Sequence, residues 1–359
     1  MNVRLYAGAA LVMALWCQAA WGSPDELQIT LEPPGLYDSA LGSDQWKMYL
    51  NGIIDRDAVK RVASEFHRIP NENEGPVDVY LNSPGGDYLA GIELGRLLRS
   101  KAAWTHVGKR AKGGGQPIPG ECYSACAMTF LGGFYRFGTT GSRYGVHRTW
   151  RDGSPNDSDF DVGQVVSAAT STYIREMGVD GALLDFIVQA GKSEVYLLSD
   201  DEQRRLRVVN EGRGPVRWDL QQGQGVLYLR GIQHTMYGEG RFILLCENHR
   251  LTFYSIYEAG PVFSVEVESG HFAHSLLIDG AEVPLPSPSR LDDKNGYLHA
   301  IFHLSEQQIE SILAARESLG HAMQMTREAP IFLGYKVDLD TAAVSKIREY
   351  VGACRTVSQ

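Results

Sequence analysis

The sequence predicts an α/β layer with parallel strands, followed by a smaller, mostly antiparallel α+β domain. Three observations carry that prediction. Between residues 46 and 107, short apolar and β-branched runs alternate with helical patterns, as in chains that build parallel strands through crossover helices. From residue 226 onward short β-type runs dominate, the pattern of hairpin-connected strands. Between these regions the stretch 211–215, Glu-Gly-Arg-Gly-Pro, interrupts every periodicity with two glycines and a proline. The domains so drawn are 45–212 and 216–359.

The 359 residues are 43% hydrophobic and 21% charged, enough for two globular cores. A net charge of −9 and the lack of a basic cluster argue against a nucleic-acid partner. Residues 1–22 read as a cleaved secretory signal. Arg4 supplies the positive start, residues 5–17 the apolar run, and Ala20 and Gly22 the small residues before the cut. The run is shorter than the roughly 20 residues a membrane span needs, and no later stretch is long and apolar enough. Lipid modification at Cys17 is the alternative processing, with Trp16 bulky for it. The expected location is therefore periplasmic or secreted, with 23–44 as an N-terminal arm.

Export permits disulfides. Four cysteines remain after cleavage, Cys122, Cys126, Cys246 and Cys354, and they allow three pairings. The expected bridge is Cys246 with Cys354. Cys122 and Cys126 would form the other, or stay reduced, because a bridge across so short a loop is strained in many geometries. The Cys-x-x-x-Cys spacing has no second ligand pair to complete a zinc site, and no metal or cofactor is expected.

The elements follow in order. Residues 46–54 read as a strand and turn, and 55–67 as a helix. Residues 77–81 are a short strand ending in Asn82-Ser-Pro-Gly-Gly-Asp87. Ala90, Leu94, Leu97 and Leu98 then share one helical face. Residues 103–107 are the next strand, and 109–121 a Gly/Pro-rich insertion. A helix begins at or after Ser124. Residues 144–148 are strand-like. Val166, Ala169, Tyr173 and Met177 make one helical stripe, and Leu183, Leu184, Ile187 and Val188 another, both read as core or subunit contact. Residues 196–202 read as a strand and a helix start, and 207–209 as a last strand. In the second domain strands are expected at 226–229, 242–245, 251–257, 262–267 and 276–278. Asp279-Gly280 signals a hairpin turn. Ser305 and Gln308 make a capping box before a helix that Gly320 would close, and a last helix carries Val344, Ile347 and Val351.

One stretch carries chemistry. Glu121-Cys-Tyr-Ser-Ala-Cys126 puts a hydroxyl, Ser124, at a loop-to-helix junction. Unpaired backbone N–H groups and the positive end of the helix dipole stabilise negative charge there. The plain alternative is a helix N-cap. Acyl transfer needs a nucleophile, a base and oxyanion donors. Ser124 is the candidate nucleophile, and His147 the candidate base, since imidazole titrates near neutrality. Gly85 and Gly86 can present a bare backbone N–H after a strand, and Ala125 a second.

In order and spacing, Leu81-Asn-Ser-Pro-Gly-Gly86, Cys122-Tyr-Ser-Ala-Cys126 and Gly145-Val-His147 resemble the Clp-type serine protease family of the crotonase-like superfamily, and more closely its exported bacterial members. The resemblance covers about residues 45–210. It implies a Clp/crotonase-like spiral of ββα units, serine hydrolysis of a peptide or protein substrate, and homo-oligomers formed through the helices after the histidine. It implies Ser124 as nucleophile, His147 as base, Gly86 and Ala125 as oxyanion donors, and Gly85 as the shaper of the turn. Two departures stand out. The third, acidic residue of the family falls at Val195, with Glu194 adjacent and Asp185 and Asp200 further away. The insertion at 109–121 is the other. An ATPase partner is not expected outside the cytoplasm. Three further readings remain beside an ATP-independent exported peptidase. One is a non-catalytic oligomeric or peptide-binding platform with 216–359 as its working surface. Another is an acyl-CoA enzyme of the crotonase type, which export disfavours. The third is a Ser–Lys variant using Lys109 or Lys112.

Overall fold

Val77, Val79 and Leu81 are buried together on one face of a strand, as the two-residue side-chain period requires. The computed structural model describes residues 26–35, 45–70, 76–148, 157–191, 194–223, 225–260, 272–325 and 332–356. Its first sheet begins with β1 (Gln28–Glu32), which pairs antiparallel with β2 (Trp46–Asn51). After helix α1 (Ala58–Phe66) comes β3 (Val77–Asn82), parallel to β2. Helix α2 (Tyr88–Ser100) crosses over to β4 (Trp104–Lys109), parallel to β3. The short β5 (Ile118–Pro119) folds back on β4. β6 (Glu121–Tyr123) runs into helix α3 (Ala125–Leu131), and β7 (Tyr135–Phe137) returns parallel to β4. The expected alternation and parallel pairing are therefore present. Five residues of the N-terminal arm join the sheet as β1.

A second, three-stranded sheet carries the site. β8 (Arg143–Val146) lies parallel to β6, and β9 (Tyr196–Leu197) antiparallel to β8. Between them run α4 (Asp157–Glu176) and α5 (Leu183–Gln189), and α6 (Asp200–Arg205) follows. Helices α2 and α3 approach closely because Gly91 and Gly95 carry no side chain. A Cβ at Gly91 would lie 3.0 Å from the Ala125 Cα. Two buried phenols also hold α3, and that of Tyr173 lies against Gly95. Tyr144 Oη donates to the Ala127 carbonyl at 3.2 Å, and Tyr173 Oη to that of Met128 at 2.8 Å. Burial keeps both phenols protonated by raising their pKa values.

Arg136 is 2% exposed and forms no ion pair among the described residues; instead it donates to the carbonyls of Leu131, Gly133, Met177, Arg207 and Val208. Desolvation lowers its pKa to about 9. The carbonyl cage ties the end of α3 to the turn after α6. It also sets the backbone at 207–209, where a last strand is expected from the sequence. Residues 207–209 are not a strand, because Arg207 takes a positive φ of 57° and the N–H groups of Val208 and Val209 both turn back to Gln203 O.

From Arg213 the pairing is antiparallel throughout. β10 (Arg213–Gly223), β11 (Val226–Thr235), β12 (Gly238–Glu247) and β13 (Arg250–Glu258) form a meander. β14 (Phe272–Ile278) and β15 (Ala281–Pro284) make a hairpin. Its turn, Asp279-Gly280, has positive φ at both residues, as the sequence predicts. β16 (Arg290–Lys294) and β17 (Tyr297–His303) extend the meander past β13. Helix α7 (Glu306–Ala314) starts at the Ser305–Gln308 capping box, with both reciprocal bonds formed. β18 (Ser318–Met325) and β19 (Phe332–Asp338) join β14, and α8 (Thr341–Thr356) ends the described chain. Gly320 does not close α7. It lies inside β18, where its missing side chain leaves room for the Tyr335 carbonyl of β19. The strand expected at 262–267 and the signal at 1–22 lie outside the described residues.

Buried apolar side chains fall into two clusters, one drawn from residues between Leu27 and Val209 and the other from residues between Trp218 and Cys354. A disulfide joins Cys246 on β12 to Cys354 on α8, with Cα atoms 5.8 Å apart. It closes a separation of 108 residues, and on a chain-entropy basis such a loop contributes about 4–5 kcal/mol.

Candidate active site

The site lies where β3, β6 and β8 end. Beyond Asn82 the chain of β3 bridges to β6: Ser83 N–H donates to Glu121 O at 2.7 Å and Ser83 O accepts from Tyr123 N–H at 3.1 Å. Ser83 Oγ accepts the Gly85 N–H at 3.0 Å. That bond uses the donor of Gly85, which leaves the glycine a shaping role. Gly85 has φ +113° and Gly86 φ +143°, conformations that side chains rarely adopt. The Ile54 N–H donates to Gly85 O at 2.8 Å, and Ile54 O accepts from Asp87 N–H at 2.7 Å. In this parallel bridge Ile54 uses both of its groups, so the Gly86 N–H faces the other way.

A Cβ at Gly85 would lie 2.7 Å from Ser124 Cβ and 3.3 Å from Ala125 N. The glycine turn and the start of α3 are thus in direct contact. Asp87 caps α2 by accepting the Ala90 N–H at 3.0 Å. That bond, with Arg56 alongside, lowers the Asp87 pKa.

Ser124 has φ 58° and ψ −120°. A non-glycine residue there costs on the order of 1–3 kcal/mol and persists only where its surroundings enforce it. The hydroxyl makes no capping bond to α3, so the plain N-cap reading does not hold. Ser124 N–H donates to Gly145 O at 3.2 Å, leaving Ala125 as the first residue of the helix. The N–H groups of the first helical turn have no intrahelical acceptor, and Ala125 is the one nearest the serine in sequence.

His147 follows β8 directly. β6 and β8 are parallel with Tyr123 opposite Gly145, so Ser124 and His147 both leave the same ends of neighbouring strands. His147 Nδ1 lies 2.7 Å from the Arg148 carbonyl. A carbonyl accepts only, so Nδ1 carries the proton and the neutral ring keeps its lone pair on Nε2. No hydrogen bond joins the Ser124 hydroxyl to His147 among the described residues.

β9 pairs with β8 so that Val146 faces Tyr196 and Gly145 faces Leu197. Val195, the residue before β9, places its side chain against Gly145, two residues before His147. The candidate acids are elsewhere. Glu194 is exposed and turned toward Gly191, Asp185 is in the first turn of α5, and Asp200 in that of α6. Lys109 and Lys112 are exposed, at the end of β4 and in the loop after it. Cys122 and Cys126 are joined in a disulfide, Cα to Cα 5.1 Å, so the cysteines on either side of Ser124 are bridged. Among the described residues no three metal-ligating side chains lie close enough to hold an ion. Sequence reasoning missed the Ser83 bond to Gly85. A serine two residues before a glycine in a turn is the signal that finds it.

No protein-family model matches the chain, and no curated protein matches it. Among solved structures it is similar to a mutant of the 1510-N membrane-bound stomatin-specific protease, at 15% identity and TM-score 0.35, over 45% of this chain and 75% of that one. It is also similar to ClpP1 from Listeria monocytogenes, at 15% identity and TM-score 0.34, over 46% and 88%. A mutant of the same ClpP1 matches at 17% identity over the same shares.

Proposed function

We propose that this chain is an exported, ATP-independent serine hydrolase, acting on peptides or proteins through Ser124 and His147. The observation that carries the reading is the backbone of Ser124. Ser124 is held at positive φ, against the Gly85 turn and at the start of a helix, a setting in which backbone N–H groups can serve an oxyanion beside the hydroxyl. Ser124 Oγ attacks the scissile carbonyl, and Nε2 of His147 takes its proton. The N–H groups of Gly86 and Ala125 bind the oxyanion. The Arg148 carbonyl fixes the tautomer of His147, the task an aspartate performs in a complete triad. Residues 45–212 would form a ββα spiral of the Clp/crotonase type and assemble into a homo-oligomer, with 216–359 as a separate domain.

The competing reading is a non-catalytic platform, and Val195, at the position where the resemblance expects an acid, favours it. Incubating residues 23–359 with unfolded casein, without ATP, separates the two. The hydrolase reading expects new peptides, and none with Ser124→Ala. Equal cleavage by both proteins would show that a contaminant acts, and no cleavage by either would favour the platform.

A further inference from the structure

The Cys122–Cys126 disulfide encloses Ser124 in a ring of five residues. Both cysteines are 0% exposed. One end is anchored by pairing: Cys122 sits in β6 opposite Tyr144 and bridges to Ser83 on its other side. The other end is anchored by helix: Cys126 is the second residue of α3, a helix buried along its whole length. Between the anchors the chain must turn at Ser124, and it does so at φ 58° and ψ −120°. The hydroxyl contributes no capping bond that would hold this conformation.

We infer that the disulfide is a positioning device for the nucleophile: it keeps Ser124 in its left-handed conformation, and the chain acquires a competent serine only when the bond has formed. The inference rests on the serine-hydrolase reading for its consequence, and on the backbone geometry for its mechanism. Without the bond, the N–H bond to Gly145 O and the contact with Gly85 remain, but the covalent tie between strand end and helix start is gone, and Ser124 relaxes toward negative φ. The hydroxyl then leaves its place beside the Gly85 turn and the first N–H of α3. Closing the bond takes one hydrogen from each thiol. A disulfide-bearing oxidant accepts both by exchange and leaves as two thiols, so electrons and protons balance. Because both sulfurs are buried, this happens during folding and not as a later switch.

The test uses residues 23–359 refolded with limiting oxidant, so that bridged and open forms coexist. The sample is treated with a fluorophosphonate probe, free thiols are alkylated, and peptides spanning Ser124 are sorted by mass. The expected result is labelling slower by about 100-fold on the open form, the effect of a small misplacement of a reacting atom. Its pH profile should be unchanged, because His147 is intact. Equal labelling of both forms would overturn the proposal. A crystal structure of Cys122→Ala/Cys126→Ala gives a readout independent of catalysis. Ser124 is expected at negative φ, and retention of φ near 58° would overturn the clamp. If the bridged form itself takes no label while the variant relaxes, the hydrolase reading fails and the clamp stands.

Discussion

The N–H of Ser124 donates to the carbonyl of Gly145 at 3.2 Å, and this bond sets the serine beside the strand that delivers His147 two residues later. The two side chains thus depend on the same pair of strands. His147→Ala is expected to lower hydrolysis by about 100- to 10,000-fold, the range of a positioned general base. Lys109→Ala and Lys112→Ala should leave the rate unchanged. Steady-state kinetics of the four proteins check this, and a Ser–Lys enzyme would show the reverse pattern.

In the proposed mechanism Val195 takes the place of an acid that would orient His147. Val195→Asp is expected to raise the labelling rate of Ser124 by about ten-fold, since removing such an acid from a full triad costs about 10⁴. Val195→Asn adds a polar group of similar size without the charge and should gain little. Probe kinetics on the two variants decide; a faster Asn variant would argue against the electrostatic account.

Gly85 packs on Ser124 at φ +113°. Gly85→Ala strains the backbone and drives a methyl group into the Ser124 Cβ. We expect a loss of about 1–3 kcal/mol in stability together with a loss of probe labelling. Thermal melts and labelling, read on the same sample, check both.

The second core holds a pH-sensitive pair. His321 is 0% exposed and His274 7%. His274 Nδ1 lies 3.1 Å from His321 Nε2, and His321 Nδ1 lies 2.8 Å from Ser255 Oγ, itself 2.9 Å from Tyr335 Oη. One ring nitrogen of the pair must donate and the other accept, so both rings cannot be charged. The rings of Phe253 and Phe302 flank His321, and no carboxylate among the described residues bonds to either histidine. Burial lowers the His274 pKa from 6.5 to about 4, and burial with the neighbouring His274 holds that of His321 well below the ordinary imidazole value. The unfolded chain therefore binds more protons below pH 6.5. Stability should be full above about pH 7 and fall steadily toward pH 4, by roughly 3 kcal/mol from His274 alone. Urea melts across that range test it. His274→Leu should flatten the curve, and a midpoint independent of pH in the unaltered protein would contradict the account.

Much of this was legible before the structure. Val77, Val79 and Leu81 announce a strand by their period, and Asp279-Gly280 and Ser305-Gln308 are local codes that tertiary context did not override. Arg207–Val209 misled because two valines read as strand, whereas the Arg136 carbonyl cage decides the backbone there. Gly320 resembled a helix stop because close approach between strands and helix termination both select glycine. The His274–His321 pair comes from strands 47 residues apart in sequence, which no local pattern reports. The positive φ of Ser124 is likewise a property of the surroundings: serine itself disfavours it.

The central claim is that Ser124 is an activated nucleophile despite Val195. The most direct measurement is treatment of the folded, disulfide-bonded protein with a fluorophosphonate, followed by mapping of the adduct by mass spectrometry. The account predicts one adduct, on Ser124, absent from Ser124→Ala and strongly reduced in His147→Ala. A folded protein that takes no adduct, or takes it on another residue, would contradict it.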